Sequence, residues 1–261
     1  MRARTLHRHE NGEGPAKVNL MNVYWLEQTE ANVPAENDWL SANEAACLKS
    51  MRFAKRRADW RLGRWTAKCA LSVCLDMPAH PQVFQKMDVR PAPSGAPEVF
   101  LSNQPVAFAI SLTHRDGIAA CAVAKSGAPI GCDLEIVEPR SDAFVADYFT
   151  TEEQALVARA SPADRPRLLA LLWSAKESAL KALHEGLRLD TRCVTVTPLA
   201  RSFDLNGWSP LQVRYTGGHV FHGWWQNTDN ILRTVVAAQP LDPPIPLNIP
   251  AHFFDSVSRC A

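Results

Sequence analysis

Residues 173–181, WSAKESALK, set the strongest constraint on this chain. They read as the middle of a long helix. Pro162 and Pro166 suit its start, with Ser161 or Asp164 as N-cap, and Gly186 suits its stop. Leu169, Leu172, Leu180 and Leu183 share one helical face, which predicts burial. Trp173, Glu177 and Lys181 recur every fourth residue and form a row along one edge of that stripe. Lys176 projects within the stripe, where a lysine is costly unless its ammonium reaches water or an anion. An exposed Glu-to-Lys pair at this spacing contributes only ~0.2–0.5 kcal/mol. A carboxylate and two lysines beside an apolar face point instead to a site for a metal-bound, phosphate-bearing ligand.

A second acidic motif, Gly131-Cys132-Asp133-Leu134-Glu135, lies in the mostly apolar run 130–137, which reads as a strand. Alternation puts Asp133 and Glu135 on one face and Cys132, Leu134 and Ile136 on the other. Two carboxylates so placed repel each other, and a divalent cation removes the repulsion. Mg²⁺ is commonly held by one or two carboxylates together with substrate phosphates.

Taken together, the two motifs resemble the signature of the surfactin-type 4′-phosphopantetheinyl transferases. That signature is a Gly-x-Asp-x-Glu strand followed, about forty residues later, by Trp-Ser/Thr-x-Lys-Glu-x-x-x-Lys. Both are present here, in that order. The likeness runs from about Lys49 to about Leu189. It implies an α+β fold of two similar α/β lobes forming a pseudo-dimer, with the active cleft between them. It also implies transfer of phosphopantetheine from coenzyme A to a serine of an apo carrier protein (acyl, peptidyl or polyketide), with release of 3′,5′-ADP.

By this resemblance Asp133, Glu135 and Glu177 hold Mg²⁺ against the diphosphate. Glu177 also accepts the serine proton, directly or through water, and Lys181 contacts the phosphates and the leaving group. Lys176 is a second phosphate contact, and Glu153 a possible accessory acid near the metal. Thr113 and His114 match the family's Ser-His segment at the nucleotide 3′-phosphate. Lys49, Arg52, Arg56 and Arg57 stand where the family has basic residues around a Phe, here Phe53, although a run of cations is equally a solvated helix face. One departure is plain. The family's Gly-Lys-Pro loop reads Gly95-Ala96-Pro97, without the lysine.

The remaining sequence sets the frame. With 261 residues, 46% of them hydrophobic, a substantial core can form, and a net charge of +1 gives no case for nucleic-acid or membrane binding. Residues 1–10 lack the apolar region of a secretory signal, and no apolar run approaches the ~20 residues of a membrane span. Seven scattered cysteines read as reduced core residues, so the cytoplasm is the expected compartment. A monomer is expected.

The expected divisions are a mobile extension at 1–16, an N-terminal lobe at 17–129 and a C-terminal lobe at 130–261. Strands are expected at 18–27, 106–113, 118–124, 130–137, 193–197, 211–215, 220–226 and 231–237. Helices are expected from Ser41 to Met51, over 54–75 and 142–149, and in a short segment capped by Thr151. Residues 90–97 and 241–250 read as irregular. Each half offers a strand, a short helix, a long helix and a run of strands, without evident sequence identity between them. Two other readings stay open. One is a noncatalytic carrier-binding relative. The other is a different Mg²⁺-dependent nucleotide hydrolase, against which the lack of a Walker-type loop counts.

Overall fold

The computed structural model describes residues 20–199 and 207–249. The expected extension at 1–16, the first two residues of the 18–27 strand, Pro250 and Cys260 lie outside them. The described chain mixes helix and sheet. Its elements are β1 (Tyr24–Thr29), α1 (Ala42–Ser50), α2 (Ala54–Cys74), α3 (Pro81–Phe84), β2 (Met87–Pro91), β3 (Pro97–Leu101), β4 (Gln104–Pro105), β5 (Ala109–Arg115) and β6 (Ile118–Ala124). There follow β7 (Ile130–Ile136), α4 (Asp142–Tyr148), α5 (Thr151–Arg159), α6 (Arg165–Ala182), β8 (Val194–Pro198), β9 (Ser209–Tyr215), β10 (Val220–Thr228), β11 (Ile231–Ala237) and β12 (Ile245–Pro246). No helix among the described residues is long and apolar enough to cross a membrane.

Three sheets form, in the orders β12-β1-β6-β5, β7-β11-β10-β9-β8 and β2-β3-β4. Helix α2 packs on β1 and β6, and α6 on β7 and β11. The β5–β6 hairpin turns on Asp116 and Gly117, both at positive φ (48° and 75°), as a two-residue Asp-Gly turn requires.

Several boundaries differ from expectation. Residues 90–97 are the tip of a hairpin, because Pro91 pairs with Pro97 and Gly95 (φ 90°) reverses the chain. Residues 241–249 are not loose. Here β12 pairs in parallel with β1, and Leu241 is buried, so this stretch returns to the sheet of the first half. The N-cap of α5 is Thr150 rather than Thr151, and its hydroxyl accepts from Glu153 N. Helix α6 stops before Gly186. His184 takes the left-handed conformation (φ 60°) one residue beyond the C-cap, and Glu185 N donates to Leu180 O, which completes a Schellman motif.

The two halves share one device that expectation missed. Lys68 of α2 and Lys176 of α6 are both fully buried. Lys68 pairs with Glu44 at 2.5 Å and donates to the carbonyls of Trp39 and Phe84. Lys176 pairs with Glu153 at 2.8 Å and donates to the carbonyls of Thr191 and Val194. Each glutamate is the third residue of a capping box, α1 behind Ser41 and α5 behind Thr150. Each also accepts a backbone N–H from the next strand, Val89 of β2 or Val196 of β8. Aligning the lysines aligns Trp65-Thr66-Ala67-Lys68 with Trp173-Ser174-Ala175-Lys176, an identity between the halves that is visible in the sequence after all.

The Lys176 and Glu153 assignments are corrected here. Burial holds the Lys176 ammonium below its usual pKa, and the charge of Glu153 opposes that shift. An ammonium this enclosed and this fully bonded has no reach to a ligand. Glu153 is spent on Lys176, Val196 and Thr150.

Candidate active site

The site forms where β7 meets α6. A Cβ on Gly131 would stand 1.7 Å from Ser178 O, so only glycine lets the strand backbone touch the helix here. Two and four residues further on, the same strand face presents Asp133 and Glu135 to the helix, both almost fully buried. Burial of this face is what alternation alone did not predict.

Lys181 reaches back from α6 and donates to Asp133 Oδ1 at 2.8 Å and to Cys132 O at 2.9 Å. Its Nζ lies 4.0 Å from Glu177 Oε2. Thr113 Oγ1 donates to Asp133 Oδ1 at 3.0 Å, while Asp133 Oδ2 is buried without a hydrogen bond. Glu135 accepts from Trp173 Nε1 and from Arg140 Nη2, both at 3.1 Å, with Arg115 at 3.9 Å.

The electrostatics follow from this crowding. Burial, and after it the Asp133 charge, pushes Glu177 from 4.5 up to about 7. The same two causes raise Glu135. Burial opposes charge on Lys181, but Asp133, Cys132 and Glu177 outweigh it and hold the ammonium above its ordinary range.

Among the described residues no three His, Cys, Asp or Glu side chains already meet around one point. Asp133, Glu135 and Glu177 are each turned to a cation or an indole. Their chemistry nonetheless fits Mg²⁺. The donors are all carboxylate oxygens, one of them buried and unbonded, and burial followed by mutual repulsion raises two of the three groups.

Side chains, not a backbone ladder, join β5 to β7. Cys132 N donates to Ser111 Oγ at 2.9 Å, and Leu134 N donates to Thr113 Oγ1 at 3.3 Å. Thr113, expected as a phosphate contact, lines a groove together with His114. Its hydroxyl is buried and engaged with Asp133 and Leu134, so it orients a carboxylate.

His114, one residue on, is exposed, with Nε2 3.9 Å from Asp59. It lines a groove of about 520 Å³ with Arg56, Trp60 and Arg64. Lys49, Arg52 and Arg57 are exposed and lie outside that lining.

Sequence reasoning missed three arginines. Arg64 stacks 4.9 Å over Trp60 and lines both this groove and a second cleft that reaches Lys181. Its Nε makes no hydrogen bond, with Glu44 at 3.9 Å. Arg115 and Arg140 hold Glu135 and Glu138. An arginine spaced one turn from Arg61 on the inward side of a basic helix was the available signal for Arg64. Nothing local marked Arg115, which reads as part of a turn.

A buried carboxylate pair on a strand is thus faced by a Glu and a Lys one helical turn apart. Residues 129–228 match the family model of the 4′-phosphopantetheinyl transferase superfamily. The match covers about two fifths of the chain and includes Asp133, Glu135, Glu177 and Lys181. It does not extend to His114 or the basic helix. No curated protein matches the chain.

Proposed function

We propose that this chain transfers 4′-phosphopantetheine from coenzyme A to a serine hydroxyl of an apo carrier protein, with Mg²⁺ as cofactor and 3′,5′-ADP as leaving group. The observation that carries this reading is the Asp133–Lys181–Glu177 constellation at the β7–α6 contact, inside the matched segment. The correspondence of Lys68 with Lys176 supports two like halves, with the grooves lined by Arg64, His114 and Lys181 as the binding site.

Asp133, Glu135 and Glu177 would hold Mg²⁺, which neutralises charge on the diphosphate oxygens when bound. Lys181 stabilises the phosphate that leaves as negative charge grows on it. Glu177 faces the same point and would accept the serine proton, directly or through water. His114 and Arg64 line the grooves on the nucleotide side and supply donors for a phosphate. The nucleophile belongs to the partner, which accounts for the lack of a resident Ser-His-Asp arrangement.

The test is incubation with coenzyme A, Mg²⁺ and a panel of apo carriers, read by intact mass. Gain of one phosphopantetheinyl group with matching 3′,5′-ADP release is expected. Release of 3′,5′-ADP without a carrier would point to a hydrolase. Carrier binding with no mass gain would point to a noncatalytic relative.

A further inference from the structure

A pocket of about 410 Å³ lies between the tip of the β2–β3 hairpin and the end of α6. Arg64, Lys181, His184 and Arg188 line it, and Glu185 is the one acid in the lining. Such a wall selects an anion. Arg188 is the member that the site described above leaves unused. It ends a short 3₁₀ turn, Gly186–Arg188, just after α6.

The Arg188 guanidinium is exposed yet held in place. Nη2 donates to Ser94 O at 2.7 Å and to His184 O at 2.9 Å, and Nε donates to Glu185 O at 3.1 Å. The bond to Ser94 crosses from the second half of the chain to the first. The His184 and Glu185 carbonyls lie just beyond the end of α6, and Arg188 covers them. Carbonyls do not cancel its full charge, and Glu185 Oε2 at 3.7 Å does so only in part. The two N–H groups of Nη1 make no hydrogen bond among the described residues. A guanidinium already fixed by three bonds loses little freedom on binding a phosphate.

We propose that Arg188 is a specificity residue of this pocket. It donates through Nη1 to a phosphate of the ligand, while its bond to Ser94 holds it at the pocket wall. The proposal rests on the reading that the ligand is a phosphate-bearing coenzyme. The rival role is a latch between the halves that touches no ligand.

Titration calorimetry of the full chain with coenzyme A and Mg²⁺ separates the two. Arg188→Gln keeps an amide donor for Ser94 O but removes the charge. We expect it to weaken coenzyme A binding roughly ten- to a hundredfold, with a shallower salt dependence and an unchanged unfolding midpoint. Arg188→Lys should recover part of the affinity. Wild-type affinity in Arg188→Gln overturns the proposal, as does an affinity loss that only tracks a lower midpoint. If the wild-type chain binds no coenzyme A, the transferase reading is what fails. Inorganic pyrophosphate then decides on Arg188: binding that Arg188→Gln loses supports the proposal, and equal or absent binding overturns it.

Discussion

Lys68 and Lys176 occupy equivalent places in the two halves of the chain, each sealed in the core by a capping-box glutamate and two carbonyls. Counting onward from each lysine separates their neighbourhoods. One residue on stand Cys69 and Glu177, and five residues on stand Val73 and Lys181. The buried lysine–glutamate arrangement is repeated, and the acid and the cation of the site follow the second lysine alone.

The core role of Lys176 has a stability signature. Lys176→Met leaves the Glu153 carboxylate buried without its partner, and should cost about 3–5 kcal/mol. Adding Glu153→Gln should return much of that loss. Urea unfolding followed by circular dichroism measures both. Well below the midpoint, coenzyme A affinity of the double variant should match the parent, in contrast to a phosphate contact.

Thr113 should behave as a support for Asp133. Thr113→Val removes a buried donor to Asp133 and an acceptor for Leu134 N, and should destabilise the fold by about 1–3 kcal/mol. Thr113→Ser keeps both bonds and should remain close to the parent. Denaturant midpoints test this. Coenzyme A affinity should fall with His114→Ala more than with Thr113→Ser.

Glu177 predicts a pH dependence. A carboxylate whose folded-state pKa is raised contributes stability at low pH and loses it as pH climbs through the folded value. Stability should therefore decline between about 4.5 and 7, and Glu177→Gln should flatten that decline. Mg²⁺ needs the ionised carboxylates, so its stabilising effect should grow over the same interval. Thermal unfolding at a series of pH values, with Mg²⁺ and with EDTA, reads both trends. A pH-independent response to Mg²⁺ would remove Glu177 from the ligand set.

Lys181 separates charge stabilisation from scaffolding. Lys181→Ala should lower kcat on a carrier by on the order of 10²–10³ and weaken ground-state binding less. Lys181→Arg should recover part, since the charge persists in a different geometry. Steady-state kinetics, with circular dichroism to confirm folding, decides. A near-native kcat for the alanine variant would exclude Lys181 from the chemistry.

Much of this was legible because the site is local in sequence. The row Trp173, Glu177, Lys181 and the pair Asp133, Glu135 follow from helical and strand periods, and the structure brings them together. What was not legible depends on partners distant in the chain. Lys176 looked like a ligand contact because a stripe lysine needs an anion, and periodicity cannot reveal that the anion is Glu153, one helix away. The bond from Thr113 to Asp133 was hidden because β5 gives no hint that its neighbour across the sheet gap is β7. The hairpin tip at 91–97 was hidden by prolines that end its strands, and the buried return of residues 241–249 by prolines that usually mark a surface path. The repeated Trp-x-Ala-Lys went unread because the residues around it differ.

Gly131 carries a consequence for how the site keeps its dimensions. Most strand–helix spacings in a protein are the sum of interposed side chains, and drift when a core residue changes size. At Gly131 nothing is interposed. Main chain rests on main chain, a short step from Asp133 on one side and Lys181 on the other. The distance between the two main chains there is thus set by backbone contact, with no side chain that could change size. Elsewhere the core can accumulate substitutions and spend stability, while the strand and helix that carry Asp133 and Lys181 keep their spacing at this point.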